Sequence, residues 1–291
     1  MIRALLLVGL VACDTSDEDP PDDTPTETCP EPGAPRALAT GLTGGTEGIA
    51  VLDGEIYVGH GDRVVRLRDD GGVDEVATVH AVVGLAAWRG EIWAASWEDE
   101  AGDAKPALVH FVPGGAATRL DIAEPAKPNF LLPTPWDTLL ISDDFDTRLF
   151  ESDGGAPVEW ADGFTSPNGM GLSADHATLF VANTFGAETP LMSVGVADGQ
   201  PSGAPATLHD FGPGTTPDGL LMAGDGTVLV ALNLANEIAA WDGTAATTLV
   251  SGVPFPASMA WSPDNACELV VTSLFGDSVW AVPVDLAGPA D

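Results

Sequence analysis

The feature that most constrains the fold is internal repetition at a spacing of roughly forty residues. Six segments follow one grammar: a short apolar run, a turn, a strand rich in Val, Ile, Leu or Ala, a loop and a further strand. They are GTEGIAVLDGEIYVGHGDRVVRL from Gly45, VVGLAAWRGEIWAASW from Val82, KPNFLLPTPWDTLLISDDFDTRLF from Lys127, SPNGMGLSADHATLFVANTF from Ser166, TPDGLLMAGDGTVLVALNLANEIAAW from Thr216 and PASMAWSPDNACELVVTSLFGDSVWAV from Pro256. Between them lie fourth-strand candidates at Asp74–Val79, Ala117–Ile122, Ala156–Ala161, Ala206–Phe211 and Ala246–Val250. The last repeat lacks one, but Pro35–Gly41 resembles Ala246–Gly252 and stands before the first repeat. A single four-strand unit cannot bury its own faces, and a ring of such units leaves no open sheet edge when its two ends share a blade. The expectation is an all-β, six-bladed β-propeller over residues 36–291, closed by an N-terminal strand.

The chain opens MIRALLLVGLVAC. One arginine precedes an apolar run too short to span a bilayer, which is the form of a secretory signal. Leu10-Val11-Ala12-Cys13 resembles a bacterial lipobox, so residues 1–12 read as a lipoprotein signal peptide and Cys13 as the lipidated residue. Residues 13–35 combine acids and prolines without one basic side chain. Such a segment cannot bury enough surface to offset its ordering entropy and reads as a disordered tether. These features predict an extracytoplasmic lipoprotein of a bacterial envelope, touching the membrane through its lipid alone.

Charge removes whole classes of partner. Ten Lys+Arg stand against 44 Asp+Glu, a net charge of −34. No basic patch for nucleic-acid phosphates or an anionic bilayer can be assembled in that field. The partner expected is a small molecule, and the chain is expected to act as a monomer.

Aligning the repeats on their innermost strands places Glu47, Val83, Asn129, Asn168, Asp218 and Ser258 at equivalent positions facing the ring axis. Glu47, Asn129, Asn168 and Asp218 would bring two carboxylates and two amides to one channel mouth, where unpaired carboxylates repel and lose hydration. A single hard divalent cation resolves both costs; Ca²⁺ suits this donor set best, with Mg²⁺, Mn²⁺ or Zn²⁺ as alternatives.

TEGIAV at Thr46, SPNGMGLSADHATLFVANT at Ser166 and TPDGLLMAGDGTVLVA at Thr216 resemble the senescence-marker-protein/gluconolactonase family, the regucalcin-like propellers. The resemblance covers roughly residues 36–285 at the level of the repeat. It implies one divalent cation held by Glu47, Asn168 and Asp218. It also implies substrate contact by Asn129 and Lys127 in Lys127-Pro128-Asn129, where lysine replaces the family's arginine and Phe130 replaces its aspartate. Both departures bear on a sugar-lactone substrate, because Arg and Lys are not interchangeable at a bidentate contact.

The chemistry expected is metal-assisted hydrolysis of a lactone or ester, with the ion polarising the carbonyl and Asp218 orienting or deprotonating water. Loops after the second strands carry Trp97, Asp144, Phe185, Asn233 and Phe275, of which Trp97 and Phe185 are candidates to line the substrate pocket. A non-catalytic, ion-stabilised propeller that binds a small ligand or protein partner is the competing reading. The sequence has no G-x-S-x-G elbow, no paired histidine motif and no phosphate loop. Finally, Cys29 precedes the ring-closing strand and Cys267 begins the second strand of the last repeat, so both fall at the end of that blade away from the donors. A Cys29–Cys267 disulfide is expected in an oxidising compartment.

Overall fold

The computed structural model describes residues 29–289, so the signal peptide, Cys13 and most of the tether lie outside the described residues. Blade one comprises β2–β5 (Ile49–Leu52, Glu55–His60, Arg63–Leu67, Val73–Thr78). Blade two comprises β6–β9 (Val82–Trp88, Glu91–Glu98, Ala104–Phe111, Thr118–Asp121) and blade three β10–β13 (Leu131–Pro133, Leu139–Ser142, Arg148–Ser152, Val158–Asp162). Blade four is β14–β17 (Pro167–Leu172, Thr178–Asn183, Pro190–Ala197, Gln200–Asp210) and blade five β18–β21 (Pro217–Met222, Val228–Leu232, Glu237–Trp241, Ala246–Ser251). Blade six takes β22–β24 (Pro256–Ser262, Asn265–Ser273, Ser278–Pro283) and completes its sheet with β1 (Arg36–Thr40). The result is six four-stranded sheets, each antiparallel, and the N-terminal strand closes the ring as the repeats require.

Second strands are sandwiched between neighbouring blades, so they are apolar on both faces: Val228–Leu232 is buried at every position. Outer strands see solvent on one side, and β21 has buried Val250 beside exposed Thr247 and Thr248. The core lies between blades; one cluster joins Ala50, Tyr57 and Val64 of blade one to Leu85, Ile92, Val109 and Phe111 of blade two. A hairpin loop of residues 99–103 joins β7 to β8, and there the Asp99 carboxylate accepts the amides of Ala101 and Asp103 at 2.9 and 3.2 Å.

A glycine after Glu47, Val83, Asn168 and Asp218 sets how closely blades approach the axis. A Cβ on Gly84 would stand 1.8 Å from the Asn129 carbonyl oxygen, and one on Gly169 would stand 2.3 Å from that of Asp218. Asn168-Gly169 and Asp218-Gly219 therefore lie within inner strands rather than in turns, and glycine is required there for backbone contact between blades.

Ring closure is reinforced at the lower end of blade six, the end away from the donors. Cys29 and Cys267 are disulfide-bonded with their Cα atoms 5.5 Å apart. One Arg36 nitrogen donates to both oxygens of the buried Glu268 carboxylate at 2.9 and 3.0 Å. Beyond β24 the chain crosses the lower face, where the Gly224 amide donates to the Ala287 carbonyl at 2.9 Å. Among the described residues, no helix is long and apolar enough to cross a membrane.

Candidate metal and substrate site

Inner strands begin at the upper mouth of the channel and run down it. Of the six equivalent axis positions, Glu47, Asn129, Asn168 and Asp218 line one cavity of about 360 Å³ at that mouth. Val83 instead packs into the core between blades two and three, and the backbone amide of Ser258 donates to the Thr272 hydroxyl at 2.9 Å. Phe185, Asn233 and Phe275 line the same cavity from the loops after the second strands, together with Asp144, whereas Trp97 reaches it from within β7 rather than from a loop.

Asp218 and Asp144 are only 5 % and 6 % exposed, and Glu47 is half-buried beside them. Ion pairs among the described residues lie elsewhere, on strand faces such as Arg66–Asp74 and Arg148–Asp146. The carboxylates consequently resist ionisation. Burial, then the charges of Asp218 and Asp144, holds Glu47 well above the ordinary glutamate range. Burial and the Asp144 charge likewise raise Asp218. Burial and the neighbouring Asp143 charge push Asp144 up to about 7, with the Asn129 amide and the Lys127 charge acting the other way.

Adjacent aspartates do different work. Asp143 accepts the backbone amides of Lys127 and Phe145, each at 2.9 Å, and so shapes the loop. Asp144 turns into the cavity, and its Oδ1 has no hydrogen-bond partner. Asn168 Oδ1 is also buried without a partner. Its orientation is set by Thr184, whose hydroxyl donates to the Pro217 carbonyl at 2.7 Å and accepts the Asn168 amide at 3.1 Å. With its lone hydroxyl proton already donated, Thr184 can only accept, so Nδ2 faces Thr184 and Oδ1 faces the cavity.

Lys127 places Nζ 4.4 Å from the centre of the Trp97 ring, and the Trp97 indole donates to the Pro128 carbonyl at 2.7 Å. The lysine thus stands beside the cavity wall against Trp97. The sequence marks Asp144 as a loop residue without an acid or ligand role, and nothing in the repeats singles out Phe145 or Thr184. A usable signal was register: the residues just past each second strand all turn toward the upper mouth. Among the described residues no three His, Cys, Asp or Glu side chains form a ready ligand group, so the donors here are mixed carboxylates and amides.

Residues 141–275 match the model of the SMP-30/gluconolactonase/LRE-like region, a span that contains Asp144, Asn168, Thr184 and Asp218. No curated protein sequence matches the chain significantly. Among solved structures, a gluconolactonase from Xanthomonas campestris is 17% identical, with 88% of this chain and 91% of that chain aligned at a TM-score of 0.73. A luciferin-regenerating enzyme is 16% identical over 89% of this chain and 98% of that chain, with a TM-score of 0.70. Virginiamycin B lyase from Staphylococcus aureus is 14% identical over 86% of this chain and 99% of that chain, with a TM-score of 0.59. At such identities these likenesses establish the fold alone.

Proposed function

We propose that the protein is a divalent-cation-dependent hydrolase of a lactone or ester. The observation that carries this reading is the unpaired donor set: Glu47, Asp144 and Asp218 without a basic partner, and two buried oxygens, Asn168 Oδ1 and Asp144 Oδ1, without a hydrogen bond. Carboxylate and amide oxygens in that number fit a hard divalent ion, Ca²⁺ best, with Mg²⁺, Mn²⁺ or Zn²⁺ as alternatives. Glu47, Asn168 and Asp218 would hold it, and Thr184 fixes which amide atom Asn168 offers. When bound, such an ion polarises an acyl carbonyl and acidifies water.

The remaining steps belong to the chain. Asp218 orients a water and accepts its proton as the water oxygen bonds to the acyl carbon. The acyl C–O bond to the ring or alcohol oxygen then breaks, and Asp144, on the same cavity wall, is positioned to return a proton to the departing oxygen. Asn129 and Lys127 touch the substrate, and Trp97 and Phe185 flank it. Location in an envelope, tethered through Cys13, is part of the same proposal; a Cys29–Cys267 bond is what an oxidising compartment sustains.

Metal analysis of the purified protein and a lactone panel with and without chelator test the reading. Asp218→Asn is expected to lower kcat/KM by about a hundredfold or more while the fold is retained. No hydrolysis by the wild type with any of the four ions would favour the ion-stabilised binding module instead, a reading supported by the strong exposure of Phe145 and Phe275 at the mouth.

A further inference from the structure

Above the carboxylates the cavity changes character. Trp97, near the end of β7, and Phe145, Phe185, Leu234 and Phe275, from loops after second strands, come from five successive blades and form its rim. Phe145 and Phe275 are each 66% exposed, a position that costs solvation of a large apolar ring unless something covers it. The rings form a run: Trp97 meets Phe145 edge-on at 6.3 Å between centroids, and Phe145 meets Phe185 at 5.3 Å.

Polar groups at the same level are already engaged. The Thr184 hydroxyl donates to Pro217, the Asn233 amide to the carbonyls of Phe255 and Pro256, and the Thr216 hydroxyl to the Thr215 carbonyl while accepting the Leu234 amide. A polyhydroxylated ring would leave most of its hydroxyls unpaired against this rim, which disfavours it strongly. An anionic substrate would meet the three carboxylates at the floor.

We infer that the site takes an uncharged lactone or ester carrying an apolar chain or aromatic group, with the acyl carbon at the acidic floor and the apolar arm along Trp97, Phe145 and Phe185. This inference rests on the hydrolase reading for its reaction but not for its binding preference, and the two are tested separately.

For turnover, γ-lactones with side chains from none to eight carbons are compared with glucono-δ-lactone on the metal-loaded protein. Each methylene buried multiplies kcat/KM by up to about fourfold, so a rise of about tenfold or more from shortest to longest is expected, with glucono-δ-lactone the poorest. The double variant Phe145→Ala/Phe185→Ala should lose more on the longest lactone than on the shortest. A flat profile, or preference for glucono-δ-lactone, overturns the inference while leaving the hydrolase intact.

For binding without chemistry, calorimetry with γ-lactams of matched chain length reads the preference directly. Tighter binding of the long-chain lactam upholds the apolar class even if no lactone is hydrolysed, which would sink the hydrolase reading alone. Equal binding of short and long lactams, with the protein instead floating on neutral phosphatidylcholine vesicles and Phe145→Ala/Phe275→Ala abolishing flotation, would make the rim a membrane-docking surface and overturn the inference.

Discussion

The two mouths of the central channel are built from opposite ends of the same inner strands and differ in kind. The lower one is larger, about 740 Å³, and is walled by Val51, Leu132, Leu172, Met222 and Trp261, with His176 its one titratable side chain among the described residues. The upper one is about half that volume and holds every donor discussed above. The inner strands that carry donors start polar and become aliphatic within a few residues, as in Asn168-Gly169-Met170-Gly171-Leu172 and Asp218-Gly219-Leu220-Leu221-Met222. Volume alone would direct attention to the wrong end. Unsatisfied oxygens and resisted ionisation mark the end where a ligand would relieve an electrostatic cost.

The ends are also held by different means, and the largest predicted effect exploits that. The lower end of blade six carries a covalent tie across a sequence separation of 238 residues. Cys29→Ser/Cys267→Ser should cost about 2–4 kcal/mol of stability, read by urea or thermal unfolding. Metal affinity of the folded variant should be unchanged by calorimetry. A weakened metal site would mean that the two ends are mechanically coupled.

Thr184→Val tests the upper end. It keeps the side-chain shape but removes the hydroxyl that orients Asn168 and leaves the Pro217 carbonyl unpaired. Metal affinity should fall about tenfold to a hundredfold, as for other residues that position a ligand. Thr184→Ser should restore most of it, which a loss caused by packing alone would not permit.

A smaller effect follows from protonation in the metal-free protein. Glu47, Asp144 and Asp218 have folded-state pKa values raised above their unfolded values, so between pH 4 and 7 the native state binds more protons than the unfolded chain. Their stabilising contribution is complete below the unfolded pKa and is lost as pH rises through the folded one. Without metal, Tm should therefore fall between pH 5 and pH 8, by about 2–4 °C for each kcal/mol lost. Saturating Ca²⁺ should flatten this slope, since a bound cation favours the ionised carboxylates. A chelated protein whose Tm rises over that interval would contradict the raised values.

Repeat spacing carried the architecture because each blade repeats one burial pattern, and the likeness of Pro35–Gly41 to Ala246–Gly252 disclosed which strand closes the ring. Equivalent register likewise discloses Glu47, Asn129, Asn168 and Asp218, which line one cavity, while Val83 at the same register packs into the core. What register could not disclose was the loop chemistry. Asp143 and Asp144 are identical in sequence terms, and only the backbone path decides that one accepts amides while the other faces the cavity. The Asn-Gly and Asp-Gly pairs pose the same difficulty: in sequence a glycine required for a turn and one required for blade-to-blade contact look alike, and only the contact of Gly169 with Asp218 separates them.

The smallest predicted effect is at the lower mouth and sharpens the contrast by its size. Met222 lines the larger cavity, its side chain lies over Gly171, and its carbonyl accepts the Trp261 indole at 2.9 Å. Met222→Leu conserves volume and apolar character and leaves the backbone carbonyl in place, so stability should change by less than about 1.5 kcal/mol. Hydrolysis at the upper mouth should stay within about twofold of wild type, because Met222 is four residues down the strand from Asp218 and contributes no oxygen to the donor set. A tenfold loss would show that packing at the lower end sets the position of Asp218. In that case β18 would have to be treated as a rigid rod joining both mouths rather than as two independent halves.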